Sequence, residues 1–358
     1  MNADDSVRFL RQMQELLAEG GFVATYKFAL LQALADLSVE HQTQSDGSLR
    51  IPVDSIAEKF IAYYWNQARP FRDEVLRQNT SGQAEVVSLL REYRGRTEGK
   101  LAKLLSNDRD WPRVRSRISA IIIKMPLWRL QTIGNTQNEF LYKASEYKDR
   151  SIRLLTGVPQ AFRAFHPLLT EIFRGAWISQ IYRISANRTI LGPEAELEEF
   201  LFGLDRNSLN KYRGVLREHQ KKQCFYCGKS VQSGGQLDHF IPWSRYPTDL
   251  GHNFVFAHAG CNNAKKDHLA AVEHLARWRD QNLHRGDKLA YEFQRAGLVH
   301  DLERTYLIAN WAYSQGHANG AKLWIRQREF ESLDYRWQAV LRCPAPLQTA
   351  AQDPEHYG

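Results

Sequence analysis

Residues 224–265 read CFYCGKSVQSGGQLDHFIPWSRYPTDLGHNFVFAHAGCNNAK, and this stretch decides what the rest of the chain must accommodate. It holds three of the four cysteines in the sequence. Cys224 and Cys227 form a C-x-x-C pair, and His258 and Cys261 form an H-x-x-C pair further along. Two such pairs at this separation are typical of a closed, tetrahedral zinc site. We therefore predict a structural Zn²⁺ bound by these four residues.

Four further polar residues lie between and just after these pairs. Asp238 and His239 are adjacent, Asn253 follows in the second half of the stretch, and Asn262 comes directly after the last cysteine. This order resembles the HNH nucleases, whose fold is two strands and a helix around one catalytic metal. His239 and Asn253 match the family's first two letters, and Asn262 stands where many members have the second histidine. His258 stands where many zinc-bound members have a cysteine, and the resemblance covers about fifty residues.

The resemblance implies a role for each residue. His239 would be the general base, Asp238 and Asn262 would hold a catalytic Mg²⁺ or Mn²⁺, and Asn253 would orient the histidine. Adjacent residues of a regular strand point to opposite faces, so the resemblance implies that the strand ends at this point. Asn263 is a rival to Asn262 as the metal ligand. Nearby basic residues are candidate phosphate contacts, with a solvated side chain as the alternative for each: Lys265, Lys266 and Arg245.

Composition sets wide limits on the class of protein. The formal net charge of +8 suits a polyanionic partner, although charge alone is weak evidence. Four cysteines in 358 residues exclude a disulfide framework and fit a reducing cytosol, with Cys343 left over. We find neither a signal-peptide pattern nor an apolar run long enough to cross a membrane. These features predict a soluble, cytoplasmic protein with no membrane partner.

The predicted fold is α+β and mostly α-helical. An α-rich N-terminal domain (1–205) is expected to include a small antiparallel sheet over about 127–155, followed by a nuclease module (206–280). A helical C-terminal segment (281–358) would follow and could pack back on the N-terminal body. The apolar spacing predicts helices over 26–41, 159–184, 194–202, 209–220, 268–281 and 321–337, and strands over 127–132, 139–142 and 151–155.

The segment 91–130 is the most basic part of the chain. It has eleven Lys or Arg residues against four acids, a net charge of +7. Arg113, Arg115 and Arg117 alternate between Trp111 and Trp128. These arginines are candidate nucleic-acid contacts, and the alternative is an ordinary solvated helix face.

The resemblance implies a metal-dependent DNA endonuclease that nicks or cuts duplex DNA. One active site cuts one strand, so a double-strand break would need a homodimer or two successive nicks. The two alternatives are a non-catalytic zinc-ribbon adaptor and an RNA-cleaving HNH nuclease. A free-standing nuclease module with a private helical domain also looks like bacterial anti-phage or restriction-type effectors, which would add other defence proteins as partners. A homing or mobile-element nuclease is the rival context.

Overall fold

The computed structural model describes residues 3–191, 194–203 and 206–342, and most of them are helical. Each named strand pairs antiparallel with one partner, giving two-stranded sheets. The mostly helical α+β class is therefore confirmed. The N-terminal elements are α1 (Ala3–Glu19), α2 (Tyr26–Glu40), β1 (Leu49–Pro52), α3 (Val53–Gln67), α4 (Glu85–Arg96), α5 (Leu101–Leu105), α6 (Asp110–Lys124), α7 (Pro126–Arg129), β2 (Thr132–Ile133), β3 (Thr136–Gln137), β4 (Ser151–Leu154), α8 (Val158–Arg183) and α9 (Glu194–Phe202).

The N-terminal body is built around α2. Every side chain of this helix from Phe28 to Glu40 is buried, because α3 and α8 pack against it. A helix that is apolar around most of its circumference can be stable only inside a protein. One hydrophobic core, with members between Phe9 and Leu201, joins these helices to the β1–β4 pair. The predicted helices at 26–41, 159–184 and 194–202 are confirmed as α2, α8 and α9.

The predicted sheet over 127–155 is only partly correct. Residues 126–129 form the short helix α7 rather than a strand, because Pro126 occupies the first turn, where its fixed φ favours a helix. Strand β4 pairs with the distant β1, placing Ile152 opposite Ile51. Segment 139–142 contributes a single bridge, from Tyr142 to Leu154.

A second core, formed by Val39 of α2 and by members from Tyr212 to Leu341, contains the predicted zinc motif and the C-terminal elements. Its elements are α10 (Arg206–His219), β5 (Gly235–His239), β6 (Phe254–His258), α11 (Ala259–Lys265), α12 (Val272–Ala296), α13 (Leu302–Ala318), β7 (Lys322–Arg326), β8 (Glu329–Ser332) and α14 (Arg336–Leu341).

Two expectations for this half need correction. The boundary predicted between 280 and 281 falls inside the continuous helix α12, so the C-terminal elements share one core with the segment that carries the predicted zinc ligands. Residues 321–337 were expected to be helical, but they form the β7–β8 hairpin and the start of α14. The turn between the strands uses Gln327 in a left-handed conformation, and Trp324 is buried beneath it.

The two cores meet at the C-terminal end of α2. Glu40 is buried there and accepts a hydrogen bond of 2.5 Å from the Tyr246 hydroxyl. Lys59 lies 2.6 Å from the same carboxylate, and Arg304 of α13 also donates to it. The His166 ring stacks on Tyr246, with 4.9 Å between ring centroids. The N-terminal body therefore holds the loop that connects β5 and β6.

Among the described residues, no helix is long and apolar enough to cross a membrane.

Candidate metal centre and active site

Two strands and a helix carry the predicted site residues. Strands β5 and β6 form an antiparallel hairpin, with His239 opposite Phe254 and Gly235 opposite His258. Helix α11 begins directly after β6. The hairpin places His239 at one end of the pair and His258 at the other. The unit therefore has one zinc-binding end and one end that carries the predicted base.

Cys224, Cys227, His258 and Cys261 converge at the first of these ends. Their ligand atoms all lie within 4.8 Å of one another, and Cys227 Sγ is 3.3 Å from His258 Nδ1. His258 Nε2 lies 3.2 Å from the Ser230 carbonyl oxygen, which can only accept a hydrogen bond. The Nε2 atom therefore carries the ring proton, and the Nδ1 lone pair faces the sulfurs, as in a histidine oriented for a metal.

Backbone groups and charge favour a cation at this position. Burial raises the pKa of Cys224, but hydrogen bonds from backbone N–H groups outweigh it and hold that pKa below its ordinary value. Burial and the neighbouring charges of Cys224 and Cys227 raise the pKa of Cys261 to about 12. A bound dication would offset the repulsion among three thiolates. The four residues therefore fit Zn²⁺ and can bind it in a three-cysteine, one-histidine site.

His239 has a carboxylate partner at the other end of the hairpin. Its Nε2 atom lies 2.9 Å from Asp249 Oδ1, and its ring packs on Phe254 and Trp243 with centroid distances of 4.4 and 5.3 Å. A carboxylate accepts the Nε2 proton, so the neutral ring keeps Nδ1 as its proton acceptor. The side chain is 14% exposed, which leaves it within reach of solvent.

Sequence reasoning missed Asp249. It stands in the loop between the strands, and no fixed spacing to His239 marks it. A detectable signal was its place shortly before β6, because the hairpin must bring that part of the loop back to the end of β5.

Asn253 fastens the chain just beyond His239. Its Oδ1 accepts from the Ile241 backbone N–H at 2.8 Å, and its Nδ2 donates to the Ile241 carbonyl oxygen at 3.1 Å. The Asn253 carbonyl oxygen also accepts from Phe240 N at 2.7 Å. These three bonds fix the turn that follows β5, which is the organising position predicted for this residue.

Asp238 lies in different surroundings from His239, because β5 continues as a regular strand through both residues. The Tyr226 hydroxyl donates to Asp238, and Lys265 Nζ lies 3.0 Å from its Oδ2. Burial, and then the charge of Asp238, raise the pKa of Tyr226 well above its usual value. Lys265 also donates to the His239 carbonyl oxygen at 2.9 Å and is fully buried. The prediction that Lys265 contacts phosphate is therefore wrong.

The two predicted ligands of the catalytic metal, Asp238 and Asn262, have different hydrogen-bond partners. Asn262 donates from Nδ2 to Gln236 Oε1 at 2.9 Å, whereas Asp238 is engaged by Tyr226 and Lys265. The described residues contain no second group of three or more His, Cys, Asp or Glu ligands besides the zinc group. Asp238 and Asn262 as arranged do not fit a ready-made Mg²⁺ or Mn²⁺ site.

The remaining predicted contacts differ in exposure. Lys266 is exposed at the end of α11. Arg245 is half-buried, burial lowers its pKa, and its Nε atom is buried without a hydrogen-bond partner. Arg115 is paired with Glu58 at 2.9 Å and Asp54 at 3.8 Å. Arg117 lies 3.8 Å from Glu92, and Arg113 is exposed. All three arginines lie on α6, in the N-terminal body.

The comparison with known protein families gives a match in the N-terminal half of the chain. Residues 7–198 match a family model described as Domain of unknown function (DUF8808). The match covers more than half of the chain, so the protein belongs to this family. It ends before α10, and the zinc group, His239 and Asp249 lie outside it. No curated protein and no solved structure matches the chain.

Proposed function

We propose that this protein is an endonuclease of the HNH type that hydrolyses phosphodiester bonds in DNA. The observation that carries the proposal is the His239–Asp249 pair at the end of a strand hairpin. The opposite end of that hairpin holds the Cys₃His group. A zinc-binding module has no structural need for a carboxylate-bound imidazole at a solvent-accessible edge. Such a pair is the arrangement that general-base catalysis requires.

The proton transfer follows from the tautomer of His239. A water molecule would attack the phosphorus as its proton passes to the free Nδ1 atom, and the bond from phosphorus to the 3′ oxygen would break. Asp249 would stabilise the imidazolium formed in this step, because its carboxylate stays beside Nε2–H. Asn253 would keep the end of β5 in position.

We also propose a requirement for Mg²⁺ or Mn²⁺. A divalent cation would offset the negative charge that builds up on the phosphate. Asp238 and Asn262 have the oxygen donors that these ions prefer, but Lys265 and Gln236 hold them apart, so they would have to rearrange to bind one ion together. Lys265 forms an ion pair with the Asp238 carboxylate, so the metal ion and Lys265 would compete for the same oxygens. We expect cleavage to stop in EDTA and to return when either ion is added.

The biological role is proposed from architecture alone. A nuclease unit docked on a separate helical domain fits anti-phage defence or restriction in the cytoplasm, with other defence proteins as partners, and a homing nuclease is the rival. The net charge of +8 supports a polyanionic substrate.

The second candidate function is a zinc-stabilised nucleic-acid adaptor without catalysis. The ion pair between Asp238 and the buried Lys265 favours it, because this pair closes the position that a catalytic metal would use. Incubation with supercoiled plasmid in Mg²⁺, Mn²⁺ or EDTA separates the two candidates. Open-circular or linear product that depends on the metal supports the nuclease, and binding without any product supports the adaptor. Single-stranded RNA in parallel tests the RNA-cleaving alternative.

A further inference from the structure

A groove runs between helix α10 and the loop that precedes β5. Arg213 and Arg217 form one rim, residues 232–234 form the other, and Gly235 and Phe256 contribute to the floor. Its volume is about 400 Å³. Gly234 has a left-handed backbone and open space beside its α-carbon, so a ligand can approach the backbone there, whereas the Phe256 ring fills the space beside Gly235. No role had been predicted for this groove.

The groove opens on the face of the hairpin that carries the His239 ring. His239 pairs with Phe254 and contacts its ring, and Phe256 lies on the same face because it is two residues further along β6. Tyr212 of α10 packs on Phe254, with 4.8 Å between ring centroids. The groove therefore begins at Gly235, four residues from His239, which is roughly 13 Å along the strand.

The charge on the rim suits a polyanion. Arg213 and Arg217 are one helical turn apart and therefore lie on one side of α10. Both are exposed, and the only carboxylate paired with either one among the described residues is the exposed Glu218, 3.3 Å from Arg217. In contrast, the predicted contacts Arg115 and Arg117 on α6 already have acidic neighbours.

We propose that this groove binds the phosphate backbone of DNA on one side of the cleaved bond, with Arg213 and Arg217 each contacting a phosphate. The inference rests on the proposed nuclease function and adds the direction of the bound strand to it. At 3.4 Å per nucleotide along the duplex, roughly 13 Å corresponds to about four base pairs. The contacted phosphates would therefore lie about four base pairs from the one beside His239.

The test compares two double variants that remove the same charge. Arg213→Gln/Arg217→Gln alters the groove, and Arg113→Gln/Arg117→Gln alters the competing surface on α6. Binding to a duplex of about thirty base pairs is measured across a salt series without added Mg²⁺ or Mn²⁺, so that cleavage plays no part. Two lost phosphate contacts should lower the slope of log K against log salt by roughly 1.8 in the groove variant. Its affinity at 0.15 M salt should fall by about tenfold or more.

The α6 variant should keep the parental slope and affinity. Parental binding by the groove variant would contradict the proposal that the groove binds DNA. Equal losses in both variants would contradict it as well, because they would reflect only the total charge removed. If the parent binds neither DNA nor RNA, the proposed function fails, and the groove fails with it. Zinc content and melting temperature, unchanged in both variants, ensure that a loss of binding does not come from misfolding.

Discussion

At the scale of single residues, the His239–Asp249 pair carries the chemical argument. His239 was identified from its place beside Asp238, whereas Asp249 became visible only when the hairpin closed. The pair specifies one tautomer, because Asp249 accepts from Nε2 and leaves Nδ1 free. Catalysis by His239 should therefore depend on the identity of residue 249 and not only on its size.

Asp249→Asn tests this dependence. The asparagine amide can donate to Nε2, which would move the ring proton to Nδ1 and remove the acceptor that faces the water. We expect plasmid cleavage to fall by a factor on the order of 10² to 10⁴, while zinc content and melting temperature stay parental. Asp280→Asn, at an exposed acid on α12, is the matched control and should cleave normally. Parental cleavage by Asp249→Asn would remove Asp249 from the mechanism.

At the scale of elements, a zinc ion bound at the Cys₃His group would join segments that have few other contacts with one another. The four ligands come from three segments: the loop that carries Cys224 and Cys227, the end of β6 and the start of α11. A two-stranded hairpin with one short helix has little apolar surface to stabilise it alone. Metal binding should therefore contribute directly to the folding of this half.

Removal of one ligand should unfold the C-terminal half more than the N-terminal half. Cys224→Ser should lose the zinc, which elemental analysis should find at about one ion per chain in the parent. We expect limited proteolysis to digest the region after about residue 205 and to spare the N-terminal body, because the two regions have separate cores. Cys343→Ser, at the one cysteine outside the motif and outside the described residues, should keep zinc and resist digestion. A Cys224→Ser protein with parental melting would contradict a structural role for zinc.

The sequence was most informative where a local pattern dominates. Long apolar periodicity located α2 and α8, and paired metal ligands with fixed spacing located the zinc group. It failed where tertiary contacts decide the outcome. The segment 321–337 has apolar residues at positions compatible with a helix, but it forms a hairpin whose strand β7 pairs through Trp324 with Ala270. The sequence predicts Lys265 as a phosphate contact, with a solvated side chain as the alternative, because no local pattern reveals its buried contacts with Asp238 and the His239 carbonyl oxygen.

At the scale of the whole molecule, the family domain contacts the loop between β5 and β6 through buried charged groups. Burial would raise the pKa of Glu40, but Arg304 and Lys59 hold it below its usual value, so the carboxylate stays ionised. Its contribution to stability is present at neutral pH and is lost as acid protonates it. Tyr246, which donates to Glu40, lies three residues before Asp249 in the same loop. The N-terminal domain can therefore affect His239 without contacting DNA.

Tyr246→Phe tests this connection. The ring can still stack on His166, and only the hydroxyl that reaches Glu40 is removed. We expect kcat for plasmid cleavage to fall several-fold while DNA affinity without added Mg²⁺ or Mn²⁺ stays parental, because the loss acts through the position of Asp249. Tyr142→Phe removes another buried hydroxyl, bonded to the Leu127 carbonyl oxygen within the N-terminal body, and should leave kcat unchanged. Equal effects of the two variants would indicate a general loss of stability.

The most direct test of the central claim is the initial rate of supercoiled-plasmid cleavage by the parent and by His239→Ala in Mg²⁺. The alanine variant keeps the zinc ligands, Asp238 and Asn253, so it should retain zinc and bind DNA as the parent does. We predict metal-dependent cleavage by the parent and a rate lower by a factor of about 10² or more in the variant, because the proton acceptor is gone. Equal rates would show that His239 is not the base, and a parent without activity on any nucleic acid would contradict the nuclease assignment.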